Sequence, residues 1–209
     1  EKGDSYTIED ILDELENISN DQERDADDRE RAEKLQFRFG RLASYDIFGS
    51  SDHNLEELAA PQQLTVLDLS GIPFEAQDVI SQLILDRLYQ AKIRNKLGED
   101  GETYDYPIFS VIEEAHNFCP AEDQTSASQK LSEIAREGRK FGMFLTLITQ
   151  RPSRIDEDVL SQCNSMIVQR IVNSKDQNSI AKASEAMATD MIDELPSLNV
   201  GEAIITGPA

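Results

Sequence analysis

From Leu64 onward the sequence alternates short apolar runs with longer stretches of helical spacing, and this alternation constrains the fold more than any other feature. Leu64–Leu69 (LTVLDL), Pro107–Ile112 (PIFSVI), Met143–Thr149 (MFLTLIT), Ser165–Arg170 (SMIVQR) and Glu202–Thr206 (EAIIT) are apolar, short and bounded by turn residues. They predict five buried strands. Between the first two lies Phe74–Leu97, a helix with Val79, Ile80, Leu83, Ile84 and Leu88 on one face, stopped by Gly98–Gly101. A polar loop from Asn117 to about Ser126 leads into a helix reaching Arg139; Ile155–Gln162 and Ser174–Met187 are two more helices. Strand–helix alternation predicts an α/β fold: right-handed βαβ units and a mostly parallel sheet with helices on both faces. Ligands of such sheets sit beyond the carboxyl ends of the strands.

Residues 1–60 have a different texture, dense in Asp and Glu. Ile8, Ile11, Leu12, Leu15 and Ile18 recur at three- and four-residue steps, with Thr7 and Asp10 spaced to cap the helix they predict. Asp21–Arg41 predicts a second helix, polar at first and apolar from Leu35 to Phe39, before Gly49-Ser50-Ser51 breaks the pattern. The expected organisation is an acidic helical insertion or lid over 1–60 and a core over 61–209, which 209 residues suffice to build.

The formal net charge is −21. Bulk electrostatics of that sign oppose nucleic-acid binding, since phosphate contacts need Lys and Arg. Two readings fit: a solvated acidic coat, or a few basic residues lining a channel with the acid facing outward. No apolar run approaches the ~18 residues a membrane helix needs, and no signal peptide opens the chain. Cys119 and Cys163 stand far apart, without metal-ligand spacing, as two reduced thiols of a cytoplasmic protein would. An opening Glu1 in place of Met is what a cut or processed chain would show.

The second apolar run ends Ile112-Glu113-Glu114-Ala115-His116-Asn117. Paired carboxylates directly after a buried strand are hard to explain by packing, because burying one without a partner costs several kcal/mol, roughly. In a nucleotide-hydrolysing fold one such carboxylate holds Mg²⁺, directly or through water, and the next activates the attacking water. The third run ends Thr149-Gln150-Arg151-Pro152, where the Gln150 amide is a candidate phosphate sensor or a plain turn residue. Arg136, Arg139 and Lys140 cluster at a helix end, where cations meet the helix dipole favourably; an arginine finger is the functional alternative. His116 is a candidate to orient Glu114, to touch a nucleic acid, or to serve structure alone. Asp68 and Ser70 end the first run, near the expected site or merely in a turn. The loop 117–129, Arg154 and Lys175 are candidates for facing a channel.

Glu-Glu-Ala-His, then Glu-Gly-Arg-Lys-Phe-Gly, Thr-Gln-Arg-Pro-Ser and Leu-Pro-Ser-Leu-Asn-Val-Gly-Glu-Ala occur in one order between Leu64 and Gly207. The series resembles the HerA branch of the HerA–FtsK ATPases. The resemblance implies a RecA-like core that uses ATP and Mg²⁺ to move double-stranded DNA, a homohexameric ring, and a partner nuclease of the NurA type in DNA end processing and repair. It implies that Glu113 is the magnesium-side acid of a Walker B motif, Glu114 the water-activating acid and Gln150 the sensor. Arg139, with Arg136 as second choice, would be the finger acting on a neighbouring subunit. The family's phosphate-binding loop, Gly-x-x-x-x-Gly-Lys-[Ser/Thr], does not occur among the 209 residues. The expectation is a truncated translocase, inactive alone. The alternatives are a natural pseudo-ATPase that only builds a ring, and a conjugation or secretion motor of the same superfamily.

Overall fold

A computed structural model describes residues 7–44, 55–123, 125–184 and 186–207. The chain falls into two compact units, Glu1–Ala76 and Gln77–Ala209, considered separately below.

In the first unit α1 (Ile8–Asn20) packs along α2 (Ala26–Ala43). Thr7 and Asp10 form the expected capping box: Thr7 Oγ1 accepts the Asp10 N–H at 3.3 Å, and Asp10 Oδ2 accepts the Thr7 N–H at 3.1 Å. Two of the helix's orphan donors are thereby satisfied. A short helix, α3 (Leu55–Leu58), follows. The Gly49-Ser50-Ser51 break lies outside the described residues. The strand expected at Leu64–Leu69 does not form, and its residues are not buried: Leu64 is 88 % exposed and Val66 77 %. An apolar run sets a preference for extended backbone, but a ladder needs a neighbouring strand. None pairs with this segment among the described residues. Asp68 and Ser70 close a local turn, the Ser70 N–H reaching Asp68 Oδ1 at 2.9 Å. The Ser70 hydroxyl, together with that backbone bond, holds the Asp68 carboxyl below the usual range.

The second unit is built around α4 (Phe74–Leu97), α5 (Ser126–Phe141) and a pair of parallel strands, β1 (Ile108–Ile112) and β2 (Met143–Leu147). α4 is longer than any other described helix and buries Leu85, Leu88, Tyr89 and Lys92; of the predicted face Leu88 is buried, Val79, Ile80 and Ile84 are half-buried, and Leu83 is exposed. Lys92 extends the buried face beyond the apolar residues. Its ammonium is buried and donates to the carbonyls of Tyr104 (2.9 Å), Asp105 (3.2 Å) and Tyr106 (2.9 Å), fixing the segment that enters β1. Tyr89 packs edge-on against Phe141 at 5.7 Å, and Lys130 of α5 bonds Asp86 of α4 at 2.8 Å.

α5 begins at two caps. Thr125 Oγ1 accepts the Ser128 N–H, and Asp78 of α4 accepts the N–H groups of Ser126 and Ala127, all at 3.0 Å. α5 ends at Gly142, whose φ of 77° closes the helix. Gly138 lets α5 lie close on β2: a Cβ there would meet the Met143 carbonyl oxygen at 2.7 Å. The polar loop expected to end at about Ser126 ends there, and Ser126–Gln129, the far end of the stretch expected to face a channel, form the first turn of α5.

Beyond β2 come α6 (Glu157–Ser161), β3 (Met166–Val168), α7 (Ser174–Ala183), α8 (Thr189–Glu194) and β4 (Ile204–Thr206). β4 pairs with β3 antiparallel, Met166 opposite Thr206. A two-helix connection lets the chain reverse here, and among the described residues β3 and β4 form a two-stranded sheet distinct from the parallel β1–β2 pair.

Candidate functional site

β1 and β2 run parallel in the register Ile108–Met143 to Ile112–Leu147, so both end on one edge. The ladder continues one step past them. The Ile148 N–H reaches the Ile112 carbonyl, and the Ala115 N–H reaches the Ile148 carbonyl, both at 2.9 Å. Glu113 and Glu114 are looped out between those two bonds and are exposed. Glu114 sits in the left-handed region (φ 47°, ψ 44°), a conformation that costs a non-glycine residue on the order of 1–3 kcal/mol and clusters at functional sites.

Three side chains converge on this turn. Gln150, just past β2, donates its amide to Glu114 Oε1 at 3.1 Å. His116 Nδ1 lies 3.3 Å from Glu114 Oε2 and 3.1 Å from Thr149 Oγ1. Thr149 Oγ1 in turn accepts the Arg151 N–H at 3.0 Å. Both oxygens of one carboxylate are thus held, one from each strand end, while Glu113 stays clear of the network. Two of these links bear on residues whose part was not assigned from sequence: Thr149, read only as part of its motif, and Asp176, a buried α7 residue whose Oδ1 accepts the Ser153 N–H at 3.0 Å and pins the loop carrying Gln150. Hydrophilic spacing 23 residues away gives no signal of such a bond.

The loop after β1 and the loop after β2 are laced together beyond the site. Pro120 and Ile155 form an antiparallel bridge, the Asp156 N–H reaches the Cys119 carbonyl and the Ala121 N–H the Arg154 carbonyl, both at 2.9 Å. Cys119 is fully buried and donates its thiol to the Ala115 carbonyl at 3.1 Å; burial pushes its pKa up to about 12, so it is no nucleophile.

The arginines are elsewhere. α5 starts near the carboxyl edge of the strands and runs back to the opposite end, where Gly142 leads into β2. Arg136 and Arg139 lie on its last two turns and are exposed, Arg136 Nε bonding the Ser132 carbonyl at 3.2 Å. Within one chain, roughly the length of a five-residue strand, ~16 Å, separates Arg139 from the Glu114 edge. The structure brings Glu114, Gln150 and His116 together and leaves Arg136 and Arg139 apart. Arg154 and Lys175 are exposed.

A divalent ion held by protein alone would need a cluster of three or more ligating side chains, and the described residues contain none. The exposed Glu113 suits the other mode, in which Mg²⁺ takes one or two carboxylates and completes its shell with water and phosphate.

Residues 1–88 match the family model described as the central domain of helicase HerA. The chain is 34 % identical over 198 residues to the DNA double-strand break repair helicase HerA of Pyrococcus furiosus, covering 83 % of this chain and 36 % of that protein. It is 50 % identical over 103 residues to the probable DNA double-strand break repair helicase HerA of Methanocaldococcus jannaschii, 49 % of this chain and 20 % of that one. The chain is of the HerA type. It spans little more than a third of the Pyrococcus relative. The family match takes in α1 and α2, the helices whose composition sets them apart from the rest. The genome packaging NTPase B204 from Sulfolobus turreted icosahedral virus 2, in complex with sulfate, shares the fold at a TM-score of 0.51. The two are 18 % identical over 79 % of this chain and 76 % of that one. The α/β, RecA-like fold class of this HerA-type chain is thereby established. No described helix is long and apolar enough to cross a membrane.

Proposed function

We propose that this chain supplies the hydrolysis side of an ATP-driven DNA translocase or helicase acting in DNA end processing and repair in the cytoplasm. What carries the reading is the carboxylate of Glu114, looped out at the carboxyl edge of two parallel strands and held by Gln150 and His116, in a chain whose relatives are named DNA double-strand break repair helicases.

In this reading Glu114 orients the attacking water and accepts its proton. Gln150 and His116 keep that carboxylate aimed, so no reorganisation is needed as the reaction proceeds. Glu113 is the residue that would hold Mg²⁺, which when bound neutralises charge on the phosphates. Arg139, or Arg136 behind it, serves a neighbouring copy in a homohexameric ring, a role consistent with its distance from its own Glu114. The phosphate-binding loop would come from residues other than these 209, so this stretch alone is inactive. Double-stranded DNA is the cargo and a NurA-type nuclease the partner.

The test is DNA-stimulated ATP hydrolysis by this chain and by a longer chain that carries a phosphate-binding loop. The longer chain turns over ATP and DNA accelerates it. Glu114→Gln lowers its turnover by roughly 10²–10⁴-fold, the range for a general base, while nucleotide still binds. Unchanged turnover in Glu114→Gln removes this residue from the chemistry, and no hydrolysis by either chain overturns the reading.

A further inference from the structure

The cations of this acidic chain are unevenly placed. The sequence holds 41 acidic residues against 20 basic ones, and α1 has five acids and no base. Between Arg29 and Arg41 of α2 the balance inverts: Arg29, Arg31, Lys34, Arg38 and Arg41 face only Glu30 and Glu33. Residues three and four apart share a helix face. Arg31, Lys34, Leu35 and Arg38 accordingly line one open groove on α2, and Arg41 continues the row. From Arg31 to Arg41 the row runs ~15 Å at the helical rise.

Two features set this face apart from a solvated coat. Phe37, 69 % exposed, and Leu35, 42 % exposed, stand among the cations, although an apolar side chain gains nothing from water. The cations are also loosely held. Lys34 pairs with Glu30 at 2.6 Å, Arg31 with Asp28 at 4.0 Å and Arg41 with Glu75 at 3.3 Å, every partner more than half exposed. Such pairs are weak and easily exchanged. Arg38 makes no ion pair among the described residues.

We propose that this face of α2 grips the phosphate backbone of a DNA duplex. The proposal rests on the DNA-directed reading above and locates a contact for it. Phosphates of one strand follow one another every ~3.4 Å along the duplex axis, so a row ~15 Å long faces four or five of them. Guanidinium groups bind phosphate oxygens in pairs, and Leu35 and Phe37 lie beside the row to pack on sugars. The charge of the rest of the chain repels DNA, so binding is short-ranged and confined to this stripe.

The experiment measures binding of the full chain to a fluorescent 30-base-pair duplex across a salt series, for the natural chain, for R31Q/K34Q/R38Q and for R24Q/K96Q/K182Q. The last variant changes net charge equally but leaves the stripe intact, and circular dichroism checks that all three fold. The stripe variant loses at least tenfold in affinity at low salt. Its log affinity–log salt slope falls by about 2–3, as expected for three lost phosphate contacts; the control keeps most of both. Equal binding by the natural chain and the stripe variant overturns the stripe while leaving the DNA reading in place. No binding by the natural chain counts against both the stripe and any DNA contact within these residues, and turnover in the longer chain then decides the wider reading separately. Stripe-dependent binding to polyglutamate that exceeds binding to the duplex makes this a protein-docking face and overturns the proposal.

Discussion

Gln150 donates its amide to Glu114 Oε1 at 3.1 Å, joining the tips of two neighbouring strands across 36 residues of sequence. This bond holds one lone pair of the carboxylate and leaves the group aimed outward from the sheet edge. If Glu114 is the base, Gln150→Ala lowers turnover of a hydrolysis-competent chain by roughly 10–100-fold, in line with loss of a positioned polar group. Nucleotide affinity changes little, because the lost bond is internal. Parallel losses in turnover and binding would make Gln150 a binding residue instead.

The left-handed backbone at Glu114 makes a prediction about stability with no reference to catalysis. Alanine keeps the steric cost of φ 47° and glycine does not. Glu114→Gly is therefore more stable than Glu114→Ala by about 1 kcal/mol in urea unfolding, the reverse of the order in an ordinary helix. Equal stabilities would mean that the turn relaxes once the side chain is gone.

Lys92 holds three carbonyls from inside the unit. Lys92→Met keeps the aliphatic stem and removes every bond, so it destabilises by about 2–4 kcal/mol, chiefly through the carbonyls left buried without a donor. Burial lowers the Lys92 pKa below the ordinary lysine value. The unfolded chain then binds more protons than the folded one between the two values, and stability gains a rising component as pH approaches the ordinary lysine range from below. Differential scanning calorimetry of Lys92→Met beside the natural chain checks both.

Cys119 behaves in the opposite sense. Its thiol stays protonated in the folded chain up to about 12, while the unfolded thiol ionises near the ordinary thiol value of 9.0. The folded state holds the extra proton, so this contribution to stability is full below the lower value and is lost as pH rises through the window. At neutral pH the native chain leaves Cys119 unlabelled by a thiol reagent and denaturant exposes it. Labelling in the native state at the rate of a free thiol would show that the loop around it opens.

The positions of the elements were legible from local pattern where the pattern is strongly local. The Thr7–Asp10 cap, β1, β2, α5 and the Glu113-Glu114 turn all follow from spacing over a few residues. What was not legible depends on distant partners. LTVLDL has the composition of a buried strand, yet Leu64 and Val66 face water because pairing is supplied from elsewhere in a fold, not from the run itself. The burial of Lys92 on α4 is not legible from apolar spacing, since lysine is polar; it is inside because three carbonyls meet it there. His116–Thr149 and Asp176–Ser153 join residues far apart in sequence, and no spacing rule announces either bond.

The bonds between the two loops beyond the site, Pro120 to Ile155, Cys119 to Asp156 and Ala121 to Arg154, have a mechanical meaning. Glu114 and Gln150 ride on separate strands, but their loops are stitched into one plate, and Asp176 rivets that plate to α7. A push on Glu114 is therefore a push on Gln150, and the two loops with the start of α7 form one mechanical body at this edge.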